Sequence, residues 1–500
     1  MNAQRIALFC VISIVFCSGC NRGFDSKWEQ FRGENSSGIA PPDATPPLEL
    51  DLEKNLGWKA DLLPGLSSPA ITKDRIFLTG YKDSDSSFSI YCIDSRDGTT
   101  IWERVVVADT IETMHPQGNP ACASPATDGD LVYTYFGSYG ALCYDLDGNL
   151  IWERRLPLLN SQYGTSGSPI IADSLLIISR TDFDKPSLLA LNRYNGKTVW
   201  QQYMDLAPRI PSPVTLSHAT PLIWRDQVIL HRAFEIVSFS LKDGAIKWTV
   251  GIVSTGVGTP VIGDNVLFVN GWYNFGSTRH YDPLPSFADM ITTNDVNKNE
   301  LIDLPDEIPA NMACFKRPES QLPLAIDTLN PTRLWAIRFD ADKNNLLTEE
   351  EWNGMEEEQK KYVMAHGVFA IDLVPESDPE RPVILWEENE YVSEVPSLLN
   401  IGSDIYMVMD GGNFFRLEAS TGNVLLQDRL GASGAYISSP LYANGHIYCA
   451  SYNGRITVVK PGDTLNVISR CNLNDKIGAS PVAIGNTLYI RAESGLYAFR

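Results

Sequence analysis

Short apolar and β-branched runs alternate with turn dipeptides along most of this chain, and the alternation repeats. Its clearest copy spans Ala123 to Trp152. Asp128-Gly129 and Asp147-Gly148 are turn pairs there, and Gly137 and Gly140 bracket a third turn. Between them the runs Ala123-Thr127, Leu131-Phe136, Ala141-Tyr144 and Asn149-Trp152 have the length and composition of strands. The spacing predicts a four-stranded antiparallel meander of roughly 40–45 residues, the size of one propeller blade.

Copies of this unit can be counted by how they open. A Ser-Pro or Thr-Pro pair stands at Ser68, Ser124, Ser168, Thr220, Thr259, Ser439 and Ser480, and a degenerate opening, Ser397-Leu398, makes the eighth. The unit closes on Gly-x-x-x-Trp at Gly98/Trp102, Gly148/Trp152, Gly196/Trp200 and Gly244/Trp248, with Trp386 closing a longer turn. The Gly supplies a positive φ, and the Trp is large enough to wedge between neighbouring sheets. The last unit, Ala479–Arg500, stops after three strands, and the missing fourth stands near the start as Leu56–Ala60 with Trp58. The expected fold is all-β: an eight-bladed propeller of four-stranded antiparallel blades, the last completed by the N-terminal strand.

The tails Cys92-Ile93-Asp94…Gly98…Trp102 and Ala190-Leu191-Asn192…Gly196…Trp200 resemble the tryptophan-docking repeat of PQQ-like β-propellers. That family includes quinoprotein alcohol dehydrogenases and the outer-membrane assembly lipoprotein BamB. The opening Trp28-Glu29-Gln30-Phe31-Arg32-Gly33 is similar to the start of many secreted bacterial members without an assigned activity. The resemblance covers about residues 28–281 and 362–500 and implies the fold. Its repeat is a packing motif, so function must come from residues added to it.

The pattern breaks once. Blade five opens at Thr259-Pro260 and runs through Val266–Asn270, but its third strand is expected only at Val368–Asp372. The intervening residues 282–361 hold 17 acidic residues against 8 basic and end in a predicted helix, Glu349–Met364. A hairpin tolerates such an insertion because its two ends stay together. Within it, Asp340, Asp342, Asn344, Leu346, Thr348 and Glu351 fall at positions 1, 3, 5, 7, 9 and 12 of a loop resembling an EF-hand. Leu346 would bind through its carbonyl and Glu351 with both oxygens, and Asn345 stands where the sharp turn wants Gly. Asp295, Asn297, Asn299, Leu301, Asp303 and Asp306 repeat the spacing, with Glu300 at the turn and Pro305 before the exit. That first loop reads either as a weak calcium site or as a structural mate. Calcium is the expected ion.

Charge and targeting narrow the partners. A net charge of −21 argues against nucleic acid, which wants clustered Lys and Arg. Residues 1–19 read as a signal peptide, with Arg5, an apolar run Ile6–Phe16 too short to span a bilayer, and Cys17-Ser18-Gly19-Cys20 resembling a lipobox with Cys20 lipidated. Residues 20–50, rich in Ser, Gly and Pro, read as a tether, with Trp28 and Phe31 docking on the propeller. Cys92 and Cys143 share one strand position in successive blades, so the mature cysteines, including Cys314, are expected mostly as free buried thiols.

The chain lacks the vicinal Cys-Cys of quinoprotein alcohol dehydrogenases, and its sequence assigns neither their calcium set nor their catalytic Asp. PQQ is therefore not an expected cofactor. The segments before each first strand supply His115, Asn119, Gln162, Tyr163, His218 and Tyr436 to one mouth of the channel. The expected organisation is a signal peptide (1–19), a tether (20–50), a propeller in two parts (51–281 and 362–500) and an EF-hand-pair insertion (282–361). The expected role is a lipid-anchored, periplasm-facing binding or scaffolding module of the bacterial cell envelope, with a protein partner there. A PQQ-dependent dehydrogenase is the alternative.

Overall fold

A computed structural model describes residues 27–115, 118–161, 164–182, 184–204, 217–272, 284–309, 312, 331–362, 366–378 and 380–500. The signal segment with Cys20, and Gln162, Tyr163 and Cys314, lie outside the described residues. Eight sheets follow one another along the chain. Blade one is Ala70–Thr72, Arg75–Lys82, Ser87–Asp94 and Thr100–Val107, each strand antiparallel to the next. Blade eight joins Val482–Ile484, Thr487–Ala492 and Gly495–Phe499 to Leu56–Asp61, so the expected N-terminal closure is present, with Ala60 opposite Leu496. In blade four the second and third strands form one extended segment, Gln227–Ser240. It folds at Phe234, where φ is 68°, and the Leu241 N–H reaches Asp226 O at 2.8 Å, so its ends lie side by side as in the other blades.

The Ser and Thr openings form a ring. The Ser68 N–H donates to Ser124 Oγ, Ser124 to Ser168, and so on through Thr220, Thr259, Ser397, Ser439 and Ser480, which donates back to Ser68. All eight bonds measure 2.8–3.0 Å. This explains a difference in blade two, whose first strand is only Ala126–Thr127 rather than Ala123–Thr127. The Ser124 N–H goes to the next blade instead of its own ladder.

A second link runs around the rim. Each closing Trp lies on the closing Gly of the following blade: Trp58 on Gly98, Trp102 on Gly148, Trp152 on Gly196, Trp200 on Gly244, and Trp386 on Gly422. The indole N–H then donates to a carbonyl of that blade, as Trp200 does to Leu241 O at 3.0 Å. Trp248 breaks the series, donating to Gln227 of its own blade, because blade five joins its last two strands through a longer connection without a Gly at that place. Between rim and ring the blades share apolar cores, as where Phe77, Phe88 and Trp102 of blade one meet Val132, Phe136 and Tyr144 of blade two.

The segment expected as a tether is docked from Trp28 onward. Trp28 exchanges backbone hydrogen bonds with Ile71 of blade one, and Glu29 O accepts from Thr127 of blade two. Arg32, 1% exposed, donates to Ser36 O, Ser37 O and Leu398 O of blade six. Gly38 and Ala40 bond Tyr442 of blade seven, and Thr45 bonds Gly485 of blade eight. Residues 28–45 thus cross the innermost strands on one face, which also carries the turns between strands one and two. The opposite face carries the hairpins between strands two and three, and the connections from each blade to the next.

The blade-five insertion leaves from that opposite face, between Val266–Gly271 and Gly367–Asp372. It contains helices α1 (Phe287–Asn294), α2 (Pro331–Phe339) and α3 (Glu349–Tyr362). Its own core gathers Met290, Ile302, Ile308, Ala336, Leu347, Trp352 and Met355. Ser286 caps α1 by accepting the Asp289 N–H.

Candidate metal centre

Two loops of the insertion have the same backbone course. Lys298 and Glu300 in the first, Lys343 and Asn345 in the second, take φ of 60–64°. Asn adopts that conformation at modest cost and Glu at more. The loops meet in a two-residue antiparallel pair, Ile302 opposite Leu347 and Asp303 opposite Leu346.

The second loop wraps its acids inward. Asp340 accepts N–H bonds from Asn344 and Asn345, and Glu351 closes the loop by accepting from Ala341 N at 2.9 Å and Thr348 N at 3.0 Å. One carboxylate oxygen from each of Asp340, Asp342 and Glu351 lies within 4.8 Å of the others, the only such group of His, Cys, Asp or Glu among the described residues. Burial pushes the Glu351 carboxyl up, but the Thr348 and Ala341 N–H groups and the Thr348 hydroxyl together draw it below its ordinary value. Asn344 is held to Asp342 by its side-chain amide at 2.8 Å, and its own oxygen accepts the Leu346 N–H. The donors are all oxygen, a set suited to a hard cation rather than zinc.

The first loop closes on a different residue from the one its spacing names. Asp306 is exposed, while Glu307, 6% exposed, accepts from Val296 N at 2.7 Å and Asp303 N at 2.9 Å. Those contacts repeat what Glu351 makes to Ala341 and Thr348. The loop is therefore one residue longer, and Glu307 is the closing acid that counting misses. Asp295 accepts N–H bonds from Lys298, Asn299 and Glu300, and the amides of Asn297 and Asn299 both donate to Asp303 Oδ2.

Of the residues expected at the channel mouth, Asn119, His218 and Tyr436 hold local structure through their side chains. Asn119 accepts the Ala121 N–H, and Tyr436 is buried with its hydroxyl donating to Ala432 O. His218 holds Ser166 through Nδ1 at 3.0 Å, and burial lowers its pKa to about 4. His115 accepts a turn hydrogen bond from Gly118 through its backbone carbonyl. Sequence reasoning also passed over Glu112, 3% exposed, whose carboxylate accepts both the N–H and the hydroxyl of Thr165. Burial raises its pKa to about 7 against the pull of those bonds and of Arg180. The described cysteines, Cys92, Cys122, Cys143, Cys449 and Cys471, are all unpaired. Among the described residues no helix is long and apolar enough to cross a membrane.

The family model described as outer membrane protein assembly factor BamB matches residues 53–182 and 86–280. Among solved structures, a europium-containing methanol dehydrogenase aligns over 94% of this chain and 90% of its own, with TM-score 0.54 and 10% identity. A quinohemoprotein alcohol dehydrogenase from Comamonas testosteroni aligns over 95% and 80%, with TM-score 0.52 and 11% identity. BamB from Moraxella catarrhalis aligns over 88% and 97%, with TM-score 0.49 and 13% identity. At such identities the likeness is one of fold. No curated protein sequence matches the chain.

Proposed function

We propose that this eight-bladed β-propeller, similar in fold to PQQ-like propellers, is an exported, lipid-anchored binding or scaffolding module of the cell envelope, carrying a calcium-binding EF-hand pair. The observation that carries the calcium reading is the convergence of Asp340, Asp342 and Glu351 inside a loop with left-handed Asn345. Asn344, the Leu346 carbonyl and Thr348 complete the oxygen set. Bound calcium would neutralise three carboxylates that otherwise repel one another. In the first loop Asp295, Asn297, Asn299, the Leu301 carbonyl and Asp303 would serve with Glu307 in place of Asp306, as a weaker site.

The scaffolding reading is supported by the local hydrogen bonds of Asn119, His218 and Tyr436 and by the missing vicinal cysteine pair. The propeller then supplies a rigid surface, and its protein partner sits in the envelope. The rival, a PQQ-dependent dehydrogenase, shares the fold and needs a grafted site. Adding PQQ and Ca²⁺ to the pure protein, then testing dye reduction with alcohols, separates the two; turnover would overturn the scaffolding role. A pull-down from membranes that recovers one stoichiometric envelope protein supports it.

Calcium is tested by calorimetric titration. Wild type should bind at about 10⁻⁴–10⁻³ M or somewhat tighter, the range of extracellular modules. Glu351→Gln should abolish the stronger phase and Glu307→Gln the weaker, while Asp306→Asn leaves both. No heat from wild type at millimolar Ca²⁺ would end the reading. Loss of the weaker phase in Asp306→Asn would restore the uncorrected spacing.

A further inference from the structure

We propose that the anchored protein lies with the face crossed by residues 28–45, its plugged face, toward the bilayer, presenting the opposite face, with the blade-five insertion, away from the lipid. The inference rests on the reading of Cys20 as the lipidated residue and adds to it an orientation set by chain length. Among the described residues Trp28 makes the first backbone bonds to the propeller, its N–H to Ile71 O at 2.9 Å and its carbonyl to Ile71 N at 2.7 Å, on the innermost strand of blade one. From Cys20 to Trp28 the chain advances eight residues. Fully extended it reaches about 28 Å.

That reach is too short for the inverted attitude. To bring the opposite face to the lipid, the chain would have to pass from the innermost strand to the outermost and then along it. Four strands about 4.8 Å apart put about 14 Å between first and last, and a strand of six to eight residues adds about 20–26 Å. The route is thus about 34–40 Å before side chains are counted. Reach falls short by at least about 6 Å, so the insertion, which leaves blade five from the opposite face, stays away from the bilayer.

The hold on this attitude is steric rather than electrostatic. The plugged face carries charges of both signs in its turns, with Asp74, Asp128, Asp130 and Asp147 paired to Arg96, Arg193, Lys73 and Arg75, so it offers no net pull toward an anionic bilayer. The docked segment is also firmly seated, with Trp28 and Arg32 buried and Gly33 packed against the Trp28 ring. It therefore belongs to the propeller, and eight residues separate Cys20 from its first backbone bonds.

The experiment uses the full-length lipidated chain in vesicles holding a nitroxide-labelled lipid. One fluorophore is placed at Glu34→Cys, exposed on the plug, and in a second protein at Ser84→Cys, exposed in a hairpin of the opposite face. Labelled wild type supplies the background from native thiols. Quenching should be several-fold stronger at position 34, unchanged in 0.5 M salt, and should even out when a Gly-Ser tract of about twenty residues is inserted after Asn21. Equal quenching at both positions, or stronger quenching at 84, in a protein that mass spectrometry shows to be lipidated overturns the orientation alone. A chain without lipid, or a Cys20→Ser variant that stays on the vesicles, overturns the anchor and the orientation with it.

Discussion

At the scale of single residues, the rim contact between Trp and Gly couples two requirements in one position. Gly244 has φ of 74°, and a Cβ there would stand 2.5 Å from the Trp200 ring. Gly445 has φ of 71° but nothing within 4 Å of its Cβ position. Gly445→Ala should therefore cost only the left-handed penalty, about 1–2 kcal/mol, whereas Gly244→Ala adds overpacking of about 1–3 kcal/mol. Denaturant midpoints of the two variants decide it; equal losses would show that the tryptophan docks too softly to matter. Glu112 gives a pH test. Its folded pKa, about 7, lies above its unfolded value, so the native state binds the extra proton. Its contribution is full below the unfolded pKa near 4.5 and is lost as pH rises through 7. Glu112→Gln should accordingly gain on wild type between pH 4.5 and 8, by up to about 3 kcal/mol. A gap between the two proteins that stays flat over that range would refute the raised pKa.

At the scale of elements, what was legible in the sequence followed from local chemistry. Turn dipeptides, alternating apolar runs and the Gly-x-x-x-Trp tail each act within a few residues, so blade boundaries could be placed from them, and Val368–Asp372 was found across a long gap by its apolar run alone. Less legible was anything set by a partner far along the chain. Ser124 leaves its expected strand because Ser168, in the next blade, accepts its N–H. Trp28 reads as docking but without its partner, Ile71, and Arg32 reads as part of a linker, since Ile71 and Leu398 are distant in sequence. Glu307 was hidden by counting: twelve-residue spacing ends on Asp306, and only the closing bonds to Val296 and Asp303 show that the chain takes one residue more. A carboxylate at the next position was the available signal, because Glu reaches farther into a loop than Asp.

At the scale of the whole molecule, stability depends on closure, and closure is made three times over. The Ser/Thr ring joins all eight blades near the channel, the tryptophans join five blade pairs at the rim, and residues 28–45 tie the innermost strands across one face. The final joint is the N-terminal strand Leu56–Asp61 against Gly495–Phe499, which seats Trp58 over Gly98 and sends its indole N–H to Ser95 O. Removing residues 51–62 from the full chain should therefore do more than delete one strand. It exposes the edge of Gly495–Phe499, opens the blade-eight to blade-one contact and frees the end of the docked segment, leaving an unpaired edge prone to pair with other chains. The deletion should lose its cooperative unfolding transition or aggregate. A synthetic peptide of residues 51–62, added in excess, should recover part of the transition by refilling the edge. A Trp58→Ala peptide should recover less, because hydrogen bonding alone does not restore the packing on Gly98. If the shortened chain melts cooperatively at the wild-type temperature, the ring and the docked segment suffice by themselves, and the N-terminal strand is an ornament of blade eight rather than its closure.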